Sequence, residues 1–305
     1  MSQKDPLRAK IEAFGSRLSL PTAIKTLGSL EGEHASRQKG GGYDYSDLRP
    51  YEPGESIQFV DWKASGRSGR PIVVNKQREV TSTLWLILDA SAQMGGTARG
   101  RETLLTVAAN ALRMFAAVSL KRSDDISLVL ADSQTISRIP FNGGYQKFDS
   151  VLEAALKDLK PAERDFTSLL QYVQGIRQSK GLIVIATDDG AMDSRHEPLI
   201  ASISQRHTVI FVSAEPLNPF DPDNQDVQDA SSGRYMPSFL QSKALSREID
   251  ARSEVLSNAF EKALVRHGDV LLRAGSSEEM LSTFIHFVGQ RLRGPKPQRS
   301  SLLRS

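Results

Sequence analysis

Five short and almost continuous apolar runs, separated by stretches with helical periodicity, constrain the fold of this chain more than any other feature. The runs are TLWLILDA, DISLVLAD, GLIVIATDDG, TVIFVSAE and DVLLRAG. Uninterrupted apolar runs of this length are typical of parallel strands that are covered on both faces. The alternation of strands and helices therefore predicts an α/β fold with a mostly parallel, doubly wound sheet.

Helices are predicted between these runs from the spacing of apolar residues and from the positions of turn residues. They are expected at 104–118, 148–159, from 167 onward, and at 196–206, 245–266 and 276–293. The stretch 216–237 contains four prolines, which predicts an irregular insertion. Its VQDASSGRYM portion is compatible with a small hairpin.

Composition excludes several classes of function. The chain has no cysteine, so disulfides, thiolate metal sites and cysteine nucleophiles are ruled out. No apolar run approaches the roughly 20 residues that span a bilayer, and the N-terminus lacks the apolar core of a signal peptide. We therefore expect a cytoplasmic protein without a transmembrane segment.

The net charge of +3 is unevenly distributed, because the tail 291–305 holds five basic residues and no acidic one. An acidic body argues against specific nucleic-acid binding by the folded part. The tail is expected to be flexible and solubilising. Binding to an anionic surface is the alternative for its five basic residues, Arg291, Arg293, Lys296, Arg299 and Arg304.

Oxygen-bearing side chains follow the predicted strands at three points. They are Asp89, Ser91 and Gln93 after the first strand, Thr167 at a helix start, and Asp188 after the GLIVIATDDG strand. Ligands bind beyond the carboxyl ends of strands in open α/β sheets, and such oxygens suit Mg²⁺. The alternative is that these residues only cap loops and helices.

This layout resembles the von Willebrand factor A domain and its metal-ion-dependent adhesion site. The resemblance implies a metal shell of Asp89, Ser91, Thr167 and Asp188, with Gln93 in place of the second serine of the family. It also implies that the protein binds other proteins through the metal, here through a degenerate site.

The segment LRPYEPGESIQFVDWKASGRSGRPIVV is more distinctive, and it resembles the signature of the bacterial family called domain of unknown function 58. The matching residues are Leu48, Arg49, Tyr51, Pro53, Gly54, Ile57, Asp61, Trp62, Lys63, Ala64, Arg67 and Gly69. The resemblance extends over roughly residues 15–290. It implies a partnership with MoxR-type AAA+ ATPases in chaperone-like assembly or maturation of other proteins.

The same segment also has a physical interpretation. Pro53-Gly54 fits a type II turn, and alternation of Ile57, Phe59 and Trp62 favours a short half-buried strand with Trp62 as an apolar anchor. PIVVNKQREV predicts a further strand. We therefore expect a small subdomain at 1–80, a sheet domain at 81–290 and a basic tail at 291–305.

The polar residues of the signature segment allow two interpretations. They form either internal ion pairs that hold the subdomain together or a partner-binding surface. The residues concerned are Arg49, Asp61, Lys63 and Arg67, with Trp62 beside them.

Two classes of function remain. The first is a non-enzymatic interaction module. The second is a Mg²⁺-dependent phosphohydrolase with Asp89 as nucleophile, but Ser91 stands where such a site needs a second aspartate. No GxSxG, HExxH or Walker A motif is present, and the five histidines show no ligand spacing. The sequence therefore predicts a binding protein and not an enzyme.

Overall fold

The computed structural model describes residues 6–17, 44–51, 60, 62–77, 83–122, 125–160, 162–177, 182–224, 227–230 and 232–293. The chain divides into two units, one of Met1–Gly32 with Ser82–Ser305 and the other of Glu33–Thr81. The first helix therefore belongs to the same unit as the sheet. This division differs from the predicted boundary, which grouped residues 1–80 together.

The apolar runs form strands of a six-stranded sheet. In the part of the chain that the structure describes, the strands are β1 (Asp44–Pro50), β2 (Ile72–Gln77), β3 (Thr83–Asp89), β4 (Asp125–Ala131), β5 (Ile136–Ile139), β6 (Leu182–Asp188), β7 (Thr208–Ala214) and β8 (Val270–Ala274). The sheet order is β5-β4-β3-β6-β7-β8, with β5 antiparallel to β4 and the other pairs parallel. The predicted α/β class with a mostly parallel sheet is confirmed.

Helices cover both faces of this sheet. The helices of the described residues are α1 (Pro6–Arg17), α2 (Trp62–Ser68), α3 (Leu104–Ser119), α4 (Tyr145–Lys157), α5 (Phe166–Gln174), α6 (Glu197–Ser204), α7 (Lys243–Arg266) and α8 (Ser277–Arg293). Successive strand side chains point to opposite faces. On β3, Leu86 joins the core formed with α1, α3, α4 and α8, whereas Ile87 joins the core formed with α5, α6 and α7.

The direction of winding reverses between β3 and β6. The chain passes from β3 to β4 on one side, and β6, β7 and β8 follow one another on the other side. Crevices form outside the carboxyl ends of strands at such a reversal. Asp89 ends β3 and Asp188 ends β6, so both residues lie at this position.

The unit Glu33–Thr81 contains an antiparallel pair, β1 with β2, and the short helix α2. The prediction that Trp62 anchors a half-buried strand is wrong, because Trp62 begins α2 and is 68% exposed. Apart from Trp62 itself, the helical run WKASGRS contains no β-branched or aromatic residue that would favour a strand. Pro53, Gly54, Ile57 and Phe59 lie outside the described residues.

The predicted insertion at 216–237 has little regular structure. An isolated bridge joins Gln228 to Tyr235, which is the position of the small hairpin. The insertion leads into a short 3₁₀ turn, Ser238–Leu240, and then into α7, whose first turn is capped by Ser242. No helix among the described residues has the length and apolar character needed to cross a bilayer.

Candidate functional site

The two predicted aspartates meet at the carboxyl edge of the sheet, and an arginine lies between them. Asp89 and Asp188 are both buried, at 1% and 5% relative exposure. Arg164 Nε donates to Asp89 Oδ2 at 2.7 Å, and Arg164 Nη1 donates to Asp188 Oδ1 at 3.3 Å. Arg164 Nη2 donates to Asp188 Oδ2. We call this group of Asp89, Asp188 and Arg164 the switch-point site.

Further donors occupy the remaining positions on the two carboxylates. The backbone N–H of Ser91 donates to Asp89 Oδ1 at 3.0 Å, and Thr187 Oγ1 donates to Asp89 Oδ2 at 2.7 Å. The backbone N–H of Gly190 donates to Asp188 Oδ1 at 2.6 Å. Every carboxylate oxygen of the switch-point site therefore accepts at least one hydrogen bond.

Burial and charge act against each other at this site. Burial raises the pKa of the Asp188 carboxyl, the Arg164 guanidinium opposes that rise, and the neighbouring charge of Asp89 adds to it. Burial also disfavours the charged form of Arg164, but the charges of Asp188 and Asp89 outweigh it, so the pKa of Arg164 is raised. The arginine therefore stays charged while it is held by two acids.

Arg164 is held in place by the start of α5. Asp165 caps that helix, because its Oδ1 accepts the backbone N–H of Ser168 at 2.9 Å. Arg164 directly precedes this cap, at the edge of the sheet where β3 and β6 end. Sequence reasoning missed Arg164, although its position next to a helix start at the carboxyl edge was a usable signal.

Thr167 does not join the switch-point site by any hydrogen bond in the described part of the chain. It is exposed, and its Oγ1 lies 3.3 Å from His196 Nε2. His196 Nδ1 accepts the backbone N–H of Asp193 at 3.1 Å, so the neutral ring carries its proton on Nε2 and donates to Thr167. Burial lowers the pKa of His196, which favours this neutral form.

Ser91 and Gln93 lie close to Asp89 in the chain, but their side-chain oxygens have no hydrogen-bond partner among the described residues. Ser91 Oγ and Gln93 Oε1 are buried and make no hydrogen bond. Unpaired buried oxygens are uncommon and costly. Both atoms were predicted to be metal ligands, and neither has a hydrogen-bond partner among the described residues.

The donor set does not fit the predicted Mg²⁺. A magnesium ion holds its ligands at about 2.0–2.1 Å and needs their lone pairs free. Three of the four carboxylate oxygens of Asp89 and Asp188 are instead bonded to Arg164. Within the described ranges, no cluster of three or more histidine or acidic side chains is arranged to hold a metal.

A second arginine lies further along the same edge. Arg273 Nε donates to Asp189 Oδ2 at 2.7 Å, and its Nη1 donates to Glu254 at 3.0 Å. Glu215 lies 3.2 Å from Arg273 Nε. Burial raises the pKa of the Glu215 carboxyl, and the charge of Arg273 opposes this effect. The acids at the ends of β6 and β7 are therefore also bound by an arginine.

The predicted partner-binding residues of the signature segment are only partly described. Trp62 and Arg67 are exposed on α2. Arg49 lies in β1 and Lys63 lies in α2, but their side chains are outside the described residues, as is all of Asp61. The roles of these five residues stay predictions. The same holds for the tail, since 294–305 and the side chains of Arg291 and Arg293 are not described.

Together, fold and site define a doubly wound α/β domain whose two switch-point acids are bridged by an arginine. The family described as protein of unknown function DUF58 matches residues 47–270. This match covers more than half of the chain, and the protein belongs to that family. The family predicted from the signature segment is therefore confirmed.

Similar proteins are known from several bacteria. The chain is 29% identical over 295 residues to the uncharacterized proteins Mb1516 of Mycobacterium bovis and Rv1480 of Mycobacterium tuberculosis, covering 93% of this chain and 91% of each relative. An aerotolerance-related membrane protein from Bacteroides fragilis has a similar solved structure, with 12% identity, a TM-score of 0.44, and coverage of 70% of this chain and 98% of that one. A von Willebrand factor type A structure from Catenulispora acidiphila has 11% identity, a TM-score of 0.39, and coverage of 72% and 44%.

Proposed function

We propose that the protein is a non-enzymatic interaction module that acts with a MoxR-type AAA+ ATPase in chaperone-like assembly or maturation of other proteins. The choice of partner follows from the resemblance of the signature segment. The observation that supports an interaction role is a set of exposed apolar side chains at the end of the insertion and in the 3₁₀ turn that follows it. Tyr235 is 63% exposed and Phe239 is 82% exposed, and Leu240 is exposed beside them in sequence. We call these three residues the insertion patch.

The insertion is attached to the same edge of the sheet as the switch-point site. The backbone N–H of Leu217 donates to Thr97 O at 2.8 Å, and Arg101 Nη2 donates to Asn224 Oδ1 at 2.8 Å. Thr97 and Arg101 belong to the loop that leaves the carboxyl end of β3. Aromatic side chains are enriched in protein interfaces, so the insertion patch suits a partner that approaches this edge.

The phosphohydrolase alternative has less support. A nucleophilic carboxylate needs an oxygen free to attack. Asp89 Oδ2 instead accepts from both Arg164 and Thr187, and Asp89 Oδ1 accepts from Ser91. The interaction role needs neither a nucleophile nor Mg²⁺. The cytoplasmic location stays a prediction from the sequence.

A pull-down of the MoxR-type ATPase with the full chain tests this proposal, with and without ATP. The double variant Tyr235→Ser/Phe239→Ser is expected to weaken capture at least about tenfold, because interface aromatics carry much of the binding energy. Val265→Ser is the matched control. It removes an exposed apolar side chain near the far end of α7.

Two results would contradict the proposal. One is the absence of any association between the wild-type chain and the ATPase in every nucleotide state. The other is Mg²⁺-dependent turnover of a phosphate ester that Asp89→Asn abolishes. Trp62→Ala in the same pull-down reports whether the exposed tryptophan of α2 also contacts the partner.

A further inference from the structure

We propose that the guanidinium of Arg164 is the resident cation of the switch-point site, so that this site is complete without a divalent metal. The von Willebrand resemblance implies a metal between Asp89 and Asp188. The structure has a protein cation at that position, bonded to three carboxylate oxygens. The proposal concerns this chain alone and does not depend on the identity of any partner.

The geometry of the guanidinium suits this role. Its planar fork presents N–H groups at fixed angles, which lets one side chain bridge two carboxylates. Nε bonds Asp89 at 2.7 Å, while both terminal nitrogens bond Asp188. Asp89 Oδ2 accepts from Thr187 as well, so its lone pairs are used. A metal could bind only after Arg164 had left both acids.

Charge compensation gives the second argument. Two buried carboxylates that share a site repel each other, and each needs a positive partner to stay ionised. Only 14% of the Arg164 side chain is exposed, so its charge acts in a poorly hydrated environment. Arg164 therefore provides the compensation that a metal provides in an adhesion site.

The unpaired oxygens of the site give the third argument. Ser91 Oγ and Gln93 Oε1 are buried and make no hydrogen bond within the described ranges, although they lie in the segment that follows Asp89. Each nitrogen of the Arg164 guanidinium donates to one of the two acids, and none donates to Ser91 Oγ or Gln93 Oε1. A cation with open coordination positions would recruit oxygens of this kind. Removal of the arginine should therefore create a metal site from the residues that remain.

The wild-type protein gives the first measurement. Calorimetric titration with Mn²⁺ or Mg²⁺ is expected to show no site, and the melting temperature is expected to be the same in EDTA and in millimolar Mn²⁺. Stoichiometric binding of one Mn²⁺ ion by the wild type, lost in Asp89→Asn, would overturn the proposal.

Arg164→Thr gives the second measurement, since threonine supplies a neutral oxygen in place of the guanidinium. In metal-free buffer this variant is expected to melt well below the wild type, and Mn²⁺ should recover part of the loss. The double variant Arg164→Thr/Asp89→Asn lacks one acid and should show no Mn²⁺ response. If Arg164→Thr melts like the wild type without metal, Arg164 is not the compensating cation and the proposal fails.

Arg164→Lys keeps the experiment decisive if Arg164→Thr does not fold. A lysine keeps the positive charge but cannot donate to both carboxylates at once as the planar guanidinium does. This variant should therefore fold and melt below the wild type, and Mn²⁺ should not change its melting temperature. A melting temperature equal to that of the wild type would contradict a bridging role. These measurements use the isolated chain and the pull-down uses the ATPase. A result that refutes the role of Arg164 can therefore be distinguished from one that refutes the partnership with the ATPase.

Discussion

Thr187 and Asp89 lie on adjacent parallel strands, and Thr187 Oγ1 donates a hydrogen bond of 2.7 Å to Asp89 Oδ2. Both side chains are buried, so this bond cannot be replaced by water without opening the sheet edge. It holds the Asp89 carboxylate from the side of β6, while Arg164 holds it from the loop before α5. The orientation of Asp89 is therefore determined by two separate elements.

Thr187→Val is expected to lower the free energy of unfolding by about 1.5–3 kcal/mol, since the lost hydrogen bond involves a charged acceptor. Valine keeps the shape of threonine, so little of this loss comes from packing. Thr187→Ser is the control. It retains the hydroxyl and should lose only about 1 kcal/mol for the missing methyl group. Urea unfolding of the three proteins makes the comparison, and equal losses in both variants would contradict the expectation.

The sheet and its two acids could be predicted from sequence for a simple reason. Buried parallel strands need continuous apolar runs, and the carboxyl ends of parallel strands meet at one edge. Asp89 and Asp188 follow such runs directly, so their convergence required only the strand order. It did not require the path of any long loop.

The sequence predicted Thr167 at the site, but the structure has Arg164 there. Both lie near the start of α5, and the choice between them depends on how the chain enters that helix. The helix begins at Phe166, capped by Asp165, which leaves Arg164 facing the acids and Thr167 beside His196. The predicted helix start, residue 167, lies within one residue of the observed one, so the path of the loop before α5 decides which side chain reaches the site, and the sequence pattern does not determine that path.

Asp269 gives a pH-dependent prediction. Its Oδ1 accepts the backbone N–H of Val209 at 3.1 Å, and its Oδ2 accepts from Ser204 Oγ. Burial raises the pKa of Asp269 to about 6, against the opposing effects of these hydrogen bonds and of His267. The folded protein therefore holds the proton more tightly than the unfolded chain does.

The difference between the folded and unfolded pKa of Asp269 determines whether the protein gains or loses stability as the pH rises. The stabilisation by Asp269 is fully present below the unfolded pKa, near 4, and is lost as the pH rises through about 6. Relative to Asp269→Asn, the free energy of unfolding should therefore fall by at most about 3 kcal/mol between pH 4 and 7. Urea unfolding at several pH values measures the difference, and a constant difference across this range would contradict the shift.

Arg113 is a buried cation on α3 that holds two acids of α4. Its Nε donates to Asp149 at 2.5 Å and its Nη2 donates to Glu153 at 3.1 Å, while Nη1 donates to Asn110 at 3.0 Å. Arg113→Ala should cost about 3–5 kcal/mol, because it leaves a cavity and removes the cation that holds Asp149, whereas Glu153 keeps its ion pair with Arg8. Arg113→Met refills the cavity and should cost less. An equal loss in both variants, measured by urea unfolding, would show that packing contributes little.

Gly15 of α1 lies against Ala117 of α3, and this contact allows no side chain. A Cβ at Gly15 would lie 2.7 Å from Ala117 Cβ and 2.9 Å from Ala117 O. Gly15→Ala should therefore separate the two helices and cost about 1–3 kcal/mol. Gly289→Ala in α8 is the matched control, since a Cβ there meets nothing within 4 Å. It should stabilise by up to about 1 kcal/mol, because alanine favours helix and restricts the unfolded chain.

Opposite signs for the two glycine substitutions would support the assignment of α1 to the sheet unit. If α1 were only loosely associated with α3, Gly15→Ala would behave like Gly289→Ala and raise the midpoint of urea unfolding. The core contacts of Leu7 and Ile11 with the same cluster as Phe115 argue against that outcome. A helix that shares a core with the sheet has to unfold together with it, so the substitution in α1 should shift the single transition of the whole unit.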